Sequence, residues 1–97
     1  MVIHVKEHLS GCSTNEEGEV LLGLVLEELA RSGSVTVDFH GVLYVTTSFV
    51  NSAFVPLFDR MSFEEIKSSL RVVRAYPQIG DLIRKRMASE SQLQKAA

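Results

Sequence analysis

Hydrophobic and polar positions follow two rhythms along this chain, one of period two in short stretches and one of helical spacing in longer ones. Val2 to Val5 is short, apolar and β-branched, with weak alternation, and predicts a first strand ending near Glu7. His8 to Asn15 has the composition of a loop. Thr14 or Asn15 then caps a helix with an acidic first turn (Glu16, Glu17, Glu19), which runs to Arg31 and stops at Gly33. At 100° per residue, Leu21, Leu22, Val25, Leu26 and Leu29 fall in one arc, while Glu16, Glu19, Glu27 and Arg31 lie outside it. One face of this helix should pack and the other stay wet. Val20 and Leu24 sit four apart inside the polar arc. They form either a contact stripe for a partner or, as is normal for scattered apolar residues, ordinary exposed side chains.

Val35-Thr-Val-Asp-Phe39 is the strongest strand pattern, with Val35, Val37 and Phe39 on one face, and predicts the central strand. Val42 to Val45 continues extended. Thr46-Thr47-Ser48 supplies hydroxyl caps for a second helix with apolar positions Phe49, Val50, Ala53, Phe54, Leu57, Phe58 and Met61, which Pro56 should kink or split. Ser62-Phe-Glu-Glu65 is a capping box opening a short helix before Leu70 to Ala75 returns to strand character. Pro77 suits the first turn of a last helix with core face Ile79, Leu82, Ile83 and Met87; the tail 88–97 either extends that helix or frays. Strands separated by helices are joined by right-handed crossovers and lie parallel, so the pattern predicts one small α/β domain over residues 1–97 with helices packed on a largely parallel sheet. Three strands make a thin sheet, and burial of an edge by a second copy, a homodimer, is physically sensible.

Composition narrows the function classes. With 97 residues, 45% hydrophobic and 23% charged, the chain holds one core. No apolar run approaches the roughly 18 residues of a membrane span, and residues 1–7, with Lys6 and Glu7, lack the features of a secretory signal, which places the expected protein in the cytoplasm. The charge is polarised. Six Glu oppose Lys6 and Arg31 in residues 1–33, whereas eight basic residues oppose four acidic ones in residues 60–97. Arg84-Lys85-Arg86 is the starting point for a nucleic-acid reading, but a pI near 5.9 and the lack of interleaved aromatics argue against it; cations near a helix C-terminus also complement its dipole. Cys12 is the sole cysteine, which leaves no intramolecular disulfide, and it reads as an inert loop thiol. His4 and His8 lack the one-face helical spacing of a metal pair, and no cofactor motif is present.

Ligands and modifications of open parallel sheets concentrate at the carboxyl ends of the strands. Asp38, His40, Thr46, Thr47 and Ser48 fall at or after the end of the predicted central strand. Hydroxyls at a helix start can carry a phosphate near unpaired backbone N–H groups, and they also serve simply as caps. Asp38, His40 and Ser48 supply the residue types of a hydrolytic triad, without a nucleophile-elbow sequence or enough chain for a substrate pocket.

The segment Val35 to Phe49 resembles the core motif of STAS domains, the fold of bacterial anti-sigma factor antagonists. More closely, Asp38-Phe39-x-Gly41-Val42 followed by Thr47-Ser48-Phe49 is similar to a short STAS-like family of unknown function. The antagonists carry Asp-Ser-Ser-Gly at the helix start, and a partner kinase phosphorylates the second Ser. On this chain that position is Ser48, with Thr47 beside it, Thr46 in place of the Asp and Phe49 in place of the Gly. The resemblance implies a STAS-like fold and a regulatory, non-catalytic, protein-binding role, with an anti-sigma-type kinase as partner and Ser48 or Thr47 as switch.

Overall fold

Local signals start and stop most elements of the computed structural model, which describes residues 2–96. The chain runs β1 (Val2–His4), α1 (Val5–His8), α2 (Asn15–Ser32), β2 (Val35–Asp38), α3 (Thr47–Ala53), a 3-10 helix (Val55–Asp59), α4 (Phe63–Ser69), β3 (Leu70–Val73) and α5 (Pro77–Ala96). Thr14 is the N-cap of α2 and forms a reciprocal box with Glu17; Gly33, at φ 82°, closes the same helix in the left-handed conformation glycine adopts without strain. Ser62 and Glu65 form the same box at α4. Pro56 divides its region as its missing N–H requires: α3 ends at Ala53 and a 3-10 turn follows.

The sheet has strand order β1-β2-β3, and both pairings are parallel. The register aligns Ile3, Val37 and Val72, and then His4, Asp38 and Val73, so alternate residues face opposite sides. Ile3, Val35 and Val37 are buried against the helical layer with Phe39, Phe49, Phe54, Leu21, Val25, Ile79 and Ile83. On the opposite face Val2, His4, Thr36 and Arg71 are exposed or half-buried. The result is a small two-layer α/β domain with a three-strand parallel sheet.

One expectation changes here. The first strand stops at His4 rather than near Glu7: a single turn of helix swings Val5 (1% exposed) into the core and leaves Lys6, Glu7 and His8 in solvent. The arc of α2 includes a carboxylate, since Glu28 is 5% exposed, with Arg31 Nη1 3.9 Å from its Oε1. The last helix extends through the tail to Ala96.

The α2–α3 contact needs a glycine. A Cβ on Gly18 would lie 2.6 Å from the carbonyl oxygen of Phe49 and 2.7 Å from Cβ of Ser52. This approach places the start of α3 beside the start of α2, where the Thr46 N–H donates to the Cys12 carbonyl at 3.2 Å and the Ser52 hydroxyl donates to Asn15 Oδ1 at 3.1 Å.

Candidate functional site

Thr46 is the N-cap of α3. Its Oγ1 accepts from the Phe49 N–H at 3.2 Å and donates to the Ser13 carbonyl at 2.9 Å, so one hydroxyl caps the helix and ties it to the loop before α2. Thr47 and Ser48 therefore sit inside the first turn, both exposed, with hydroxyls that make no hydrogen bond among the described residues. Of the three hydroxyls that could cap this helix, the structure selects the first and leaves the other two facing solvent.

The apolar residues that directly follow these hydroxyls are not exposed. Phe49 and Val50 are both 0% exposed and belong to the core, so neither contributes a contact patch. The exposed apolar residues are Leu43 (75%) and Tyr44 (64%), in the irregular segment between β2 and α3. Val42 is buried and anchors this segment behind a turn in which the Val42 N–H donates to the Phe39 carbonyl and Gly41 takes φ 82°. Leu43 and Tyr44 also border a hollow of about 200 Å³ lined with Lys6, Leu9, Cys12 and Gly41. The Cys12 thiol at its base is buried, and burial, followed by the Glu17 charge, raises its pKa to about 11. A thiol so far from thiolate at neutral pH is a poor nucleophile.

Asp38 is 3% exposed and joins the carboxyl ends of all three strands. The Arg74 Nε donates to Oδ1 at 3.2 Å and to Oδ2 at 3.0 Å, and its Nη2 also bonds Oδ2. The His40 N–H donates to Oδ1 at 2.8 Å, and His4 Nδ1 lies 3.2 Å from Oδ2. The Arg74 guanidinium above all, then the His40 N–H, holds the Asp38 carboxyl below its usual range against the opposing effect of burial, and Asp38 in turn raises Arg74. Arg74 takes φ 52°, a left-handed backbone that costs a residue with a side chain roughly 1–2 kcal/mol. That strain accompanies the placement of its guanidinium on a buried charge that would otherwise be unpaired.

These partners do not assemble the hydrolytic arrangement. Asp38 engages the backbone N–H of His40, while the His40 side chain is exposed, and the carboxylate is occupied by Arg74 and His4. Neither Arg74 nor His4 stood out in the sequence as a partner of Asp38. The available signal was only positional: His4 is the last residue of β1 and Arg74 the first after β3. The Val20–Leu24 stripe is half present: Val20 is 51% exposed, whereas Leu24 packs partly against the core. Arg86 of the basic triplet turns inward to Asn51 and Glu90, and Arg84 pairs with Asp81. Among the described residues no cluster of three or more His, Cys, Asp or Glu could hold a metal, and no helix is long and apolar enough to cross a membrane.

A small parallel α/β domain whose exposed hydroxyls follow the central strand, with no assembled triad behind them, has the class features of a STAS-like fold. Residues 17–85 match the model of the family described as STAS-like domain of unknown function (DUF4325), and the chain belongs to that family. No curated protein and no solved structure matches it.

Proposed function

We propose that this protein is a non-catalytic regulatory interaction module of the cytoplasm, docking a protein partner through Leu43, Tyr44 and the adjoining Thr47–Ser48 surface, with phosphorylation of Ser48 or Thr47 reversing the docking. The observation that carries the reading is the division of labour at the start of α3, where Thr46 performs the capping and leaves the next two hydroxyls exposed and, among the described residues, unbonded. A phosphoryl group there would disturb no internal hydrogen bond. It would add close to two negative charges beside two large apolar side chains, where an apolar partner surface without cations would have to desolvate them. The partner implied by the STAS resemblance is an ATP-dependent kinase of the anti-sigma type. Nucleic acid is not part of the proposal.

The test uses the partner recovered from the source cell and calorimetry with wild type, Ser48→Ala, Ser48→Asp and the double variant Leu43→Ala/Tyr44→Ala, each checked by circular dichroism. Ser48→Ala should bind as wild type, while Ser48→Asp and the double variant should each bind at least about tenfold more weakly, or ~1.4 kcal/mol. Equal affinities across folded variants would remove the docking surface from this end of the molecule.

A further inference from the structure

Beside β3 the surface is concave. Two depressions, of about 500 Å³ and 230 Å³, follow the middle and the end of the strand, and a third of about 420 Å³ adjoins them at the starts of β2 and β3. They share Lys67 and Leu70 at the first junction and Val72, Ile83 and Arg84 at the second. The middle section is floored by Phe63, Ile66, Leu70, Val72, Ile83 and Met87, contributed by α4, β3 and α5. The charged residues lining all three are Lys67, Arg71, Arg74 and Arg84; no Asp or Glu lines any of them. Glu64 and Asp81 approach Lys67 and Arg84 from outside the trench.

β3 is an edge strand, paired only with β2. The Val73 carbonyl accepts from the Phe39 N–H, so by strand parity Val73 and Arg71 face β2, and the N–H and C=O of Val72 face the open edge. An edge of this kind accepts a further extended chain, whose backbone pairs with the strand while alternate side chains enter the groove.

We propose that this edge is a second docking surface, separate from the Leu43–Ser48 surface and independent of that reading, which receives an extended acidic segment of a partner protein as a fourth strand. Apolar side chains of the segment enter the groove between α4 and α5, and its carboxylates meet Lys67 and Arg84 at the groove's rim and Arg71 on the opposite face of the sheet, while Arg74 stays on Asp38. Charge selects this occupant. A second copy would bring a second set of Lys67, Arg71 and Arg84 to the same edge, with no carboxylate lining the trench between them, and like charges brought together are destabilising. A nucleic acid would meet an aliphatic floor, with Phe63 already covered by Lys67 Nζ at 5.0 Å from its ring centre.

The experiment titrates the full chain with three fluorescent probes at low and high salt: a short peptide of alternating Val and Glu, the same peptide with Lys for Glu, and a single-stranded DNA oligonucleotide. Binding is read by anisotropy and mapped by amide chemical-shift changes. The Val-Glu peptide should bind best, weaken with salt and perturb β3, α4 and the first half of α5. In the exposed-residue variant Lys67→Glu/Arg84→Glu the preference should invert toward the Lys peptide, with at least about a tenfold loss for the Glu peptide. Equal binding of both peptides to wild type, tighter binding of DNA, perturbations confined to other elements, or concentration-dependent self-association that shifts β3 resonances would each overturn the proposal.

Discussion

Single atoms decide how closely α2 and α3 approach. Gly18 and Gly23 are both interior to the same helix, yet a methyl group at Gly18 would press on the backbone of Phe49 and Ala53, whereas one at Gly23 would meet nothing within 4 Å. The intrinsic gain in helix propensity is the same at both positions, up to about 1 kcal/mol. At Gly18 it is opposed by overpacking against atoms that cannot rotate away, typically about 1–3 kcal/mol. Urea denaturation should therefore show Gly23→Ala more stable than wild type and Gly18→Ala less stable. A stabilised Gly18→Ala would mean that the two helices part without cost.

The start of α3 separates structural hydroxyls from available ones. Thr46→Ala removes both the cap and the tie to the Ser13 carbonyl, and should cost about 1–2 kcal/mol in chemical denaturation. Thr47→Ala and Ser48→Ala should stay within about 0.5 kcal/mol of wild type, as exposed substitutions do. A Ser48→Ala loss as large as that of Thr46→Ala would return Ser48 to the role of a cap. The same element shows how far the sequence is legible. Signals that act over three or four residues read correctly: both Thr14 and Ser62 start helices, Gly33 stops one and Pro56 splits one. The choice of Thr46 among three equivalent hydroxyls depends on the Ser13 carbonyl, 33 residues away, and no local pattern encodes it. The exposure of Leu43 and Tyr44 was missed for a related reason. A helix of only seven residues beside a tight glycine contact turns nearly every apolar residue inward, while the irregular segment has no periodicity from which to read a face.

At the scale of the molecule, Asp38 couples the chain's three strands at one end, through a partner 36 residues away that sequence spacing could not reveal. That coupling makes stability depend on pH. Because the folded pKa of Asp38 is depressed below its ordinary value of 3.8, chiefly by Arg74, the unfolded chain takes up its proton first as pH falls. The stabilisation is thus fully present above that ordinary value, and it disappears as pH drops through the lower folded value. Glu17 is also depressed, first by the Ser13 N–H and then by the Thr14 hydroxyl, and contributes to the same acid limb from its ordinary value of 4.5 downward. The two contributions can be separated. Asp38→Asn should lower stability at neutral pH, since it leaves Arg74 without its anion, and should flatten the decline below about pH 4, where wild type converges toward the variant. Glu17→Gln should remove its share without loosening the strand ends, so amide exchange in β1 and β3 should rise in Asp38→Asn and remain unchanged in Glu17→Gln. Urea-unfolding free energies measured across the acid range, with exchange at neutral pH, decide the matter. An acid limb equally steep in Asp38→Asn and wild type would show that Asp38 is not the group whose protonation unfastens the sheet, and unchanged exchange at His4 and Val73 would deny it the role of joining the strand ends.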